Sequence, residues 1–232
     1  MFKFISKNYI VIIFFTFLLS SNSFADDKKI DYIKSLLGEN VNTSDVYEIY
    51  NGVPLKKKDN IVITVINQPD NKIKNFSIAK ILDYAAALNL NVVFQNNIEA
   101  TEILLFDDFV DKNNNFNKNV LEKYGINIKD DSSVPIKFRD CFVIREINNG
   151  SIVNSKYIID NKLNKEETKE CISRSVTFSF GLSFKPLVKL LSINKVEVYD
   201  FIDEFGPFIL SRRDRCFQVS REHLDYSCMS DE

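Results

Sequence analysis

The segment from Asn60 to Phe94 constrains the fold most, because it reads as a strand, a helix and a strand in turn. "NIVITVI", Asn60 to Ile66, is rich in β-branched residues, which is typical of a strand. Phe76 to Leu90 places its apolar residues at helical spacing, and "NVVF" predicts a second strand immediately after it. This order predicts a layered domain in which helices cover a sheet.

Later segments extend the same pattern. Predicted strands are "TEILLFDD", "CFVIREI" and "KYIID", the last two forming a hairpin around Asn148-Asn149-Gly150. Predicted helices run from Val120 to Tyr124, from Lys165 to Phe180, and from Val196 to Leu210 with an interruption at Gly206-Pro207. We therefore expect an α+β fold with a small mixed β-sheet packed against helices.

The N-terminal residues have the order of a secretory signal peptide. Lys3 and Lys7 precede an apolar run from Tyr9 to Leu19, and Ser23-Phe24-Ala25 provides small residues before a cleavage site. The domain prediction is a signal peptide at 1–25, a helical extension at 26–59, an α+β domain at 60–210 and a tail at 211–232. We expect a periplasmic or secreted protein, with no transmembrane segment after signal cleavage.

Composition argues against several classes of partner. The formal net charge is -2, and charges of both signs are interspersed along the chain, so nucleic acid is not an expected partner. Six glycines leave little material for a glycine-rich phosphate loop, and there is no Gly-x-Ser-x-Gly elbow. The cluster at Arg212, Arg213 and Arg215 could bind an anion, but such a run is usually a solvated helix end.

All four cysteines lie in the part that export would deliver to an oxidising compartment, so we predict two disulfides. Three pairings are formally possible. We predict Cys141–Cys171, which would tie the hairpin to the start of a helix, and Cys216–Cys228, which would close a short C-terminal loop.

"CISRSVTFSFGL", Cys171 to Leu182, has the rhythm of a zinc-protease helix, H-E-x-x-H-x-x-G-x-x-H, without its metal ligands. With Gly181, the expected helix cap, as the anchor, the four chemical positions hold Arg174, Ser175, Phe178 and Phe184. The chain has a single histidine, His223, so a zinc site built on histidines is excluded. We expect no metal, no cofactor and no catalytic residue here.

The order of these segments resembles a bacterial secreted family of unknown function with a zincin-like layout and degenerate zinc motifs. The resemblance covers Asn60 to Leu210 and is carried by Cys141, Cys171, Gly181 and Leu182. Members of that family commonly keep Glu and Gln where proteases have Glu and the second His. This chain departs from that pattern, because Ser175 and Phe178 occupy these positions.

The loop "DKNNNFNKNVLE" leaves two interpretations open. Its oxygen-bearing residues follow the spacing of an EF-hand calcium loop: Asp111, Asn113, Asn115, Asn117, Asn119 and Glu122. Phe116 stands where that loop requires glycine, which favours a solvated surface loop. The adjacent pairs Asp107-Asp108 and Asp130-Asp131 would point to opposite faces of a strand and so predict no acid–base couple.

These observations favour an exported, non-catalytic domain that binds an envelope protein or a small ligand. Two alternatives remain: a hydrolase or peptidase-like enzyme with unassigned residues, and a carrier of an apolar ligand. Converging carboxylates with shifted pKa values would favour the enzyme. An open apolar pocket beside Gly181 would favour the carrier.

Overall fold

Six strands form one mixed β-sheet in the computed structural model, which describes residues 55–56, 60–67, 70–95, 100–128, 138–182 and 198–219. The strands are β1 (Leu55–Lys56), β2 (Ile61–Ile66), β3 (Val92–Phe94), β4 (Glu102–Asp107), β5 (Cys141–Asn148) and β6 (Ser151–Asp160). The helices in these ranges are α1 (Asn71–Ala87), α2 (Lys118–Lys123), α3 (Lys165–Ser179) and α4 (Val198–Val219). The predicted α+β class, with a mixed sheet packed against helices, is confirmed.

The sheet is parallel except at one strand. β3, β2, β4 and β6 lie side by side and all run in the same direction. β5 pairs antiparallel with β6, and the short β1 pairs parallel with the first two residues of β6. The predicted signal peptide and helical extension lie outside the described residues, except that β1 falls in the range assigned to the extension.

Both faces of the sheet are covered, which explains the almost continuous apolar sequence of β4. Leu104 and Phe106 face a core formed with α1, α3 and α4. Ile103 and Leu105 face a second, smaller core that includes Leu121 of α2. α3 therefore lies on the face of the sheet that holds the larger core.

Two elements begin earlier than their patterns predict. α1 starts at Asn71, not Phe76, because the Asp70 carboxylate caps it by accepting a 2.7 Å hydrogen bond from the Ile73 amide. β6 starts at Ser151, not Lys156, so the hairpin has a two-residue turn. Asn149 and Gly150 have φ of 49° and 74°, the left-handed conformation that such tight turns require.

The predicted interruption of the last helix at Gly206-Pro207 is wrong. α4 runs through both residues and continues to Val219, past the predicted start of the tail. Gly206 is needed for close approach to α1, since a Cβ there would collide with the Tyr84 hydroxyl. No helix in the described ranges is both long and apolar enough to cross a membrane.

Candidate functional site

α3 carries the residues that align with the zinc-protease template, and both of its ends are defined by its sequence. At its start, Asn164 accepts hydrogen bonds from two helix amides and Glu167 bonds back to the Asn164 amide, forming a capping box. At its end, Gly181 has φ of 95°, and the Leu182 amide donates to the Thr177 carbonyl at 3.1 Å. This is a Schellman motif, in which glycine tolerates the left-handed conformation.

A disulfide fixes α3 to the start of β5. Cys141 and Cys171 are bonded with an S–S distance of 2.04 Å, and both are buried. The prediction of this bridge is confirmed, and such a bond is typical of proteins that fold outside the reducing cytosol. The second predicted bridge, between Cys216 and Cys228, lies outside the described side chains.

Arg174 and Ser175 make structural contacts at the disulfide. The Arg174 guanidinium donates a 3.0 Å hydrogen bond to the Cys141 carbonyl and lies 4.9 Å from the Phe138 ring. Ser175 is buried, with its hydroxyl 3.8 Å from the Cys141 sulfur. Neither side chain is placed as a metal ligand or as an accessible general base.

Phe178, one helical turn further on, is covered by an arginine from β5. The Arg145 guanidinium lies 3.5 Å from the centre of the Phe178 ring and donates a 3.2 Å hydrogen bond to the Phe178 carbonyl. Partial burial lowers the pKa of Arg145, whose charge is stabilised by the ring. Phe184, the fourth template position, lies outside the described residues.

Arg145, Arg174 and Phe178 thus form an arginine–aromatic seam between α3 and β5. Sequence reasoning placed Arg174 and Phe178 on this helix face but missed Arg145, because a strand residue reveals its helix partner only through the tertiary fold. In the described ranges, no three His, Cys, Asp or Glu side chains come together as a possible metal site.

Sequence reasoning also missed a buried polar cluster beneath the end of α3. The Lys56 ammonium forms an ion pair with one oxygen of the Glu102 carboxylate and donates a 3.1 Å hydrogen bond to the Ser155 hydroxyl. The other Glu102 oxygen accepts from the Tyr157 hydroxyl at 2.5 Å, and Tyr157 also contacts Ser179. All five residues are at most 4% exposed.

This polar cluster is suited to stabilising the fold and not to chemistry. Burial raises the pKa of Glu102, and the Lys56 cation opposes that effect. The Ser155–Lys56 pair has the residue types of a nucleophile and base, but neither side chain is exposed enough to meet a substrate. A run of three lysines at 56–58 is typical of a solvated loop, and that interpretation is wrong for Lys56, whose side chain is enclosed.

Asp107 at the end of β4 and Asp160 at the end of β6 each accept several hydrogen bonds. Burial alone would raise the pKa of Asp107, but hydrogen bonds from Lys123, Tyr124 and the Asp108 amide lower it to about 2. Asp160 is buried, which raises its pKa, and it accepts hydrogen bonds from the Val110 and Lys162 amides. The Asp108 amide donates a 2.9 Å hydrogen bond to the Asp107 carboxylate, and Asp130-Asp131 lies outside the described residues.

The calcium-like loop is held by its own hydrogen bonds. One oxygen of Asp111 accepts from the amides of Asn113 and Asn115, each at 2.8 Å. Phe116 is buried and packs edge-on against Phe142, so the residue at the glycine position anchors the loop to the smaller core. The side chains of His223, Arg212, Arg213 and Arg215 lie outside the described part of the chain.

A groove opens at the β3 edge of the sheet, between α1 and strands β2 and β3. Its volume is about 220 Å³, and it is lined by Ile63, Val65, Lys74, Ile78, Phe94 and Gln95. Gly181, beside which the carrier hypothesis expected a pocket, is not among the residues that line this groove.

No protein-family model, curated protein or solved structure matches this chain.

Proposed function

We propose that this protein is an exported, non-catalytic binding protein of the bacterial envelope. Its core has a zincin-like layout in which an arginine–aromatic seam replaces the metal site. The sequence of elements supports this layout: a strand, a helix, two strands, the short α2 and a hairpin precede a helix that ends before Gly181-Leu182 and contains Cys171 as the seventh of its 15 residues.

The observation that carries the proposal is the Arg145–Phe178 stack. Arg145 and Arg174 bring two guanidinium groups to the helix face where a zinc protease holds a dication, and like charges there oppose metal binding. The ring of Phe178 offers no lone pair to a metal. Each of these groups instead stabilises the junction of α3 with β5.

An enzyme with another active site has less support. Glu102 and Asp160 have pKa values raised by burial, which is one mark of catalytic carboxylates. However, Glu102 is neutralised by Lys56, and Asp160 by amide donors. Both carboxylates have the partners expected of structural groups, and both are at most 2% exposed.

The export part of the proposal is tested by the N-terminus of the mature protein. The leader predicts that periplasmic or secreted protein begins at Asp26. N-terminal sequencing of fractionated cells checks this. An intact N-terminus that stays with the membrane fraction would contradict export with cleavage.

The binding part is tested by crosslinking the protein in intact cells and purifying it under denaturing conditions. We expect one defined envelope component to be recovered reproducibly, in an adduct that the purified protein can reconstitute. A tagged periplasmic protein of similar size and charge serves as the control. Recovery of the same background set with both proteins would contradict a specific binding role.

A further inference from the structure

The groove at the edge of the sheet, named here the β3-edge groove, has an apolar floor and one cationic end. Ile63 and Val65 of β2 and Ile78 of α1 line its interior. Phe94 closes its outer side, yet 53% of this residue is exposed. A phenylalanine so exposed beside other apolar side chains is a favourable contact site for a bulky apolar group.

The backbone of β3 offers hydrogen bonds at the same place. The Ile61 amide donates to the Asn91 carbonyl, and the Gln95 amide donates to the Ile63 carbonyl. In a parallel pair, alternate residues bond to the same neighbour, so Val92 and Phe94 direct their amide and carbonyl groups away from β2. Among the described residues, β3 pairs with no strand other than β2.

The charge at the groove's end points to an anionic group in its occupant. Lys74 lines the groove from the first turn of α1, and among the described residues no carboxylate, including that of the Asp70 cap, forms an ion pair with it. The helix start itself is already capped by the Asp70 carboxylate, so the Lys74 ammonium is the group that would attract a carboxylate of the occupant. A ligand side chain with a carboxylate is therefore complementary to this end.

We propose that the β3-edge groove binds an extended, apolar and acidic peptide segment of a partner protein by strand addition. The peptide backbone pairs with Val92 and Phe94, one bulky apolar side chain enters the groove, and a carboxylate two residues away meets Lys74. The edge favours a peptide over a small apolar ligand, because a small ligand would not pair with the outward amides of β3, which bond to no other strand among the described residues.

This inference builds on the proposed binding role by naming the class of partner. Its test uses the mature full chain and a fluorescein-labelled peptide with the core TVFVEVT, in which the phenylalanine and the glutamate share one face. Binding is measured by fluorescence anisotropy. The control peptides replace the glutamate by glutamine or carry N-methyl groups on alternate amides, which removes the ladder donors.

Four variants distinguish peptide binding in the groove from effects of nearby residues outside it. Phe94→Ala should weaken binding of the TVFVEVT peptide about tenfold. Lys74→Gln should weaken it about fivefold, and should not affect the glutamine peptide. Val93→Thr, on the other face of β3, and Lys72→Gln, in the same helical turn as Lys74 but outside the groove, should change affinity less than about twofold.

Amide hydrogen exchange tests most directly whether the peptide backbone pairs with β3. The amides of Val92 and Phe94 should exchange quickly in the free protein and slowly with the peptide bound, whereas the Val93 amide should change little. Protection of both outward amides in the free monomer, or self-association through β3, would overturn the proposal, as would affinity unaffected by Phe94→Ala. These failures would leave the envelope-crosslinking result standing, so the two proposals fail separately.

Discussion

At the scale of single residues, the buried Lys56–Glu102 pair is the most sensitive contact described. Lys56→Met should reduce the free energy of unfolding by about 3–5 kcal/mol, because it leaves the Glu102 carboxylate enclosed without its cation. Urea unfolding measures this change. Lys123→Met removes the cation of the more exposed pair with Asp107 and should have a much smaller effect. Equal losses in the two variants would contradict this account of the cluster.

The same variant should acquire a distinctive pH dependence. Without Lys56, burial holds the folded-state pKa of Glu102 above its unfolded value of about 4.3. The folded state then binds the proton more tightly, so the free energy of unfolding of Lys56→Met should rise as pH falls from 7 through the folded pKa. It should level off below about pH 4.3. A Lys56→Met, Glu102→Gln double variant should lack this rise.

The aromatic seam makes a second prediction at this scale. Phe178 is only partly buried, so Phe178→Ala should destabilise the protein by about 1–3 kcal/mol. Phe180→Ala, two residues away and completely buried in the larger core, should cost about 3–5 kcal/mol. Thermal or urea unfolding of the two variants compares them. The reverse order would mean that Phe178 is enclosed by contacts other than Arg145.

At the scale of elements, the junction of α1, α3 and α4 depends on one glycine. Tyr84 donates or accepts a 2.6 Å hydrogen bond with Thr177, and Gly206 lies directly against the Tyr84 hydroxyl. Gly206→Ala should therefore destabilise the protein by about 1–3 kcal/mol through overpacking. In the Tyr84→Phe background the same substitution should cost less, because the hydroxyl has gone. A double-mutant cycle with no coupling would contradict the close approach.

The Cys141–Cys171 bridge connects β5 with α3 through two cysteines that are 30 residues apart in sequence. Replacing both cysteines by alanine should lower the free energy of unfolding by about 3–4 kcal/mol, because the unfolded chain regains the freedom of that loop. Urea unfolding of this variant and of the parent protein measures the difference. Intact-mass analysis after thiol alkylation is the control, and free thiols at these positions in the folded parent would show that the bridge is absent.

At the scale of the whole molecule, local sequence patterns predict the fold class well, but they predict few of the tertiary contacts. β2 and β4 are recognisable in the sequence from their runs of β-branched and apolar residues. α3 is recognisable from the helical spacing of its apolar residues and from its Gly181 cap. The early start of α1 is less visible, because polar residues follow the Asp70 cap. Gly206-Pro207 continues as helix because tertiary packing around Gly206 outweighs the local preference to stop.

The candidate sites show the same limit. The absence of histidine ligands on α3 is readable from the sequence, and so is the pairing of Cys141 with Cys171, although Cys171 is the seventh of the 15 residues of α3 and not at its start. Lys56 and Arg145 are not recognisable in this way, since each gains its role from partners more than 30 residues away. The β3-edge groove likewise arises from packing between α1 and the sheet edge.

The central proposal is that the face of α3 that resembles the zinc-binding helix of a protease is a structural seam in a binding protein. The most direct measurement is elemental analysis of the purified mature protein together with a peptidase assay, each with and without a chelator. We predict less than stoichiometric zinc, unchanged thermal unfolding after chelation, and no chelator-sensitive cleavage. One zinc ion per chain, with peptide cleavage that a chelator abolishes and zinc restores, would contradict the claim.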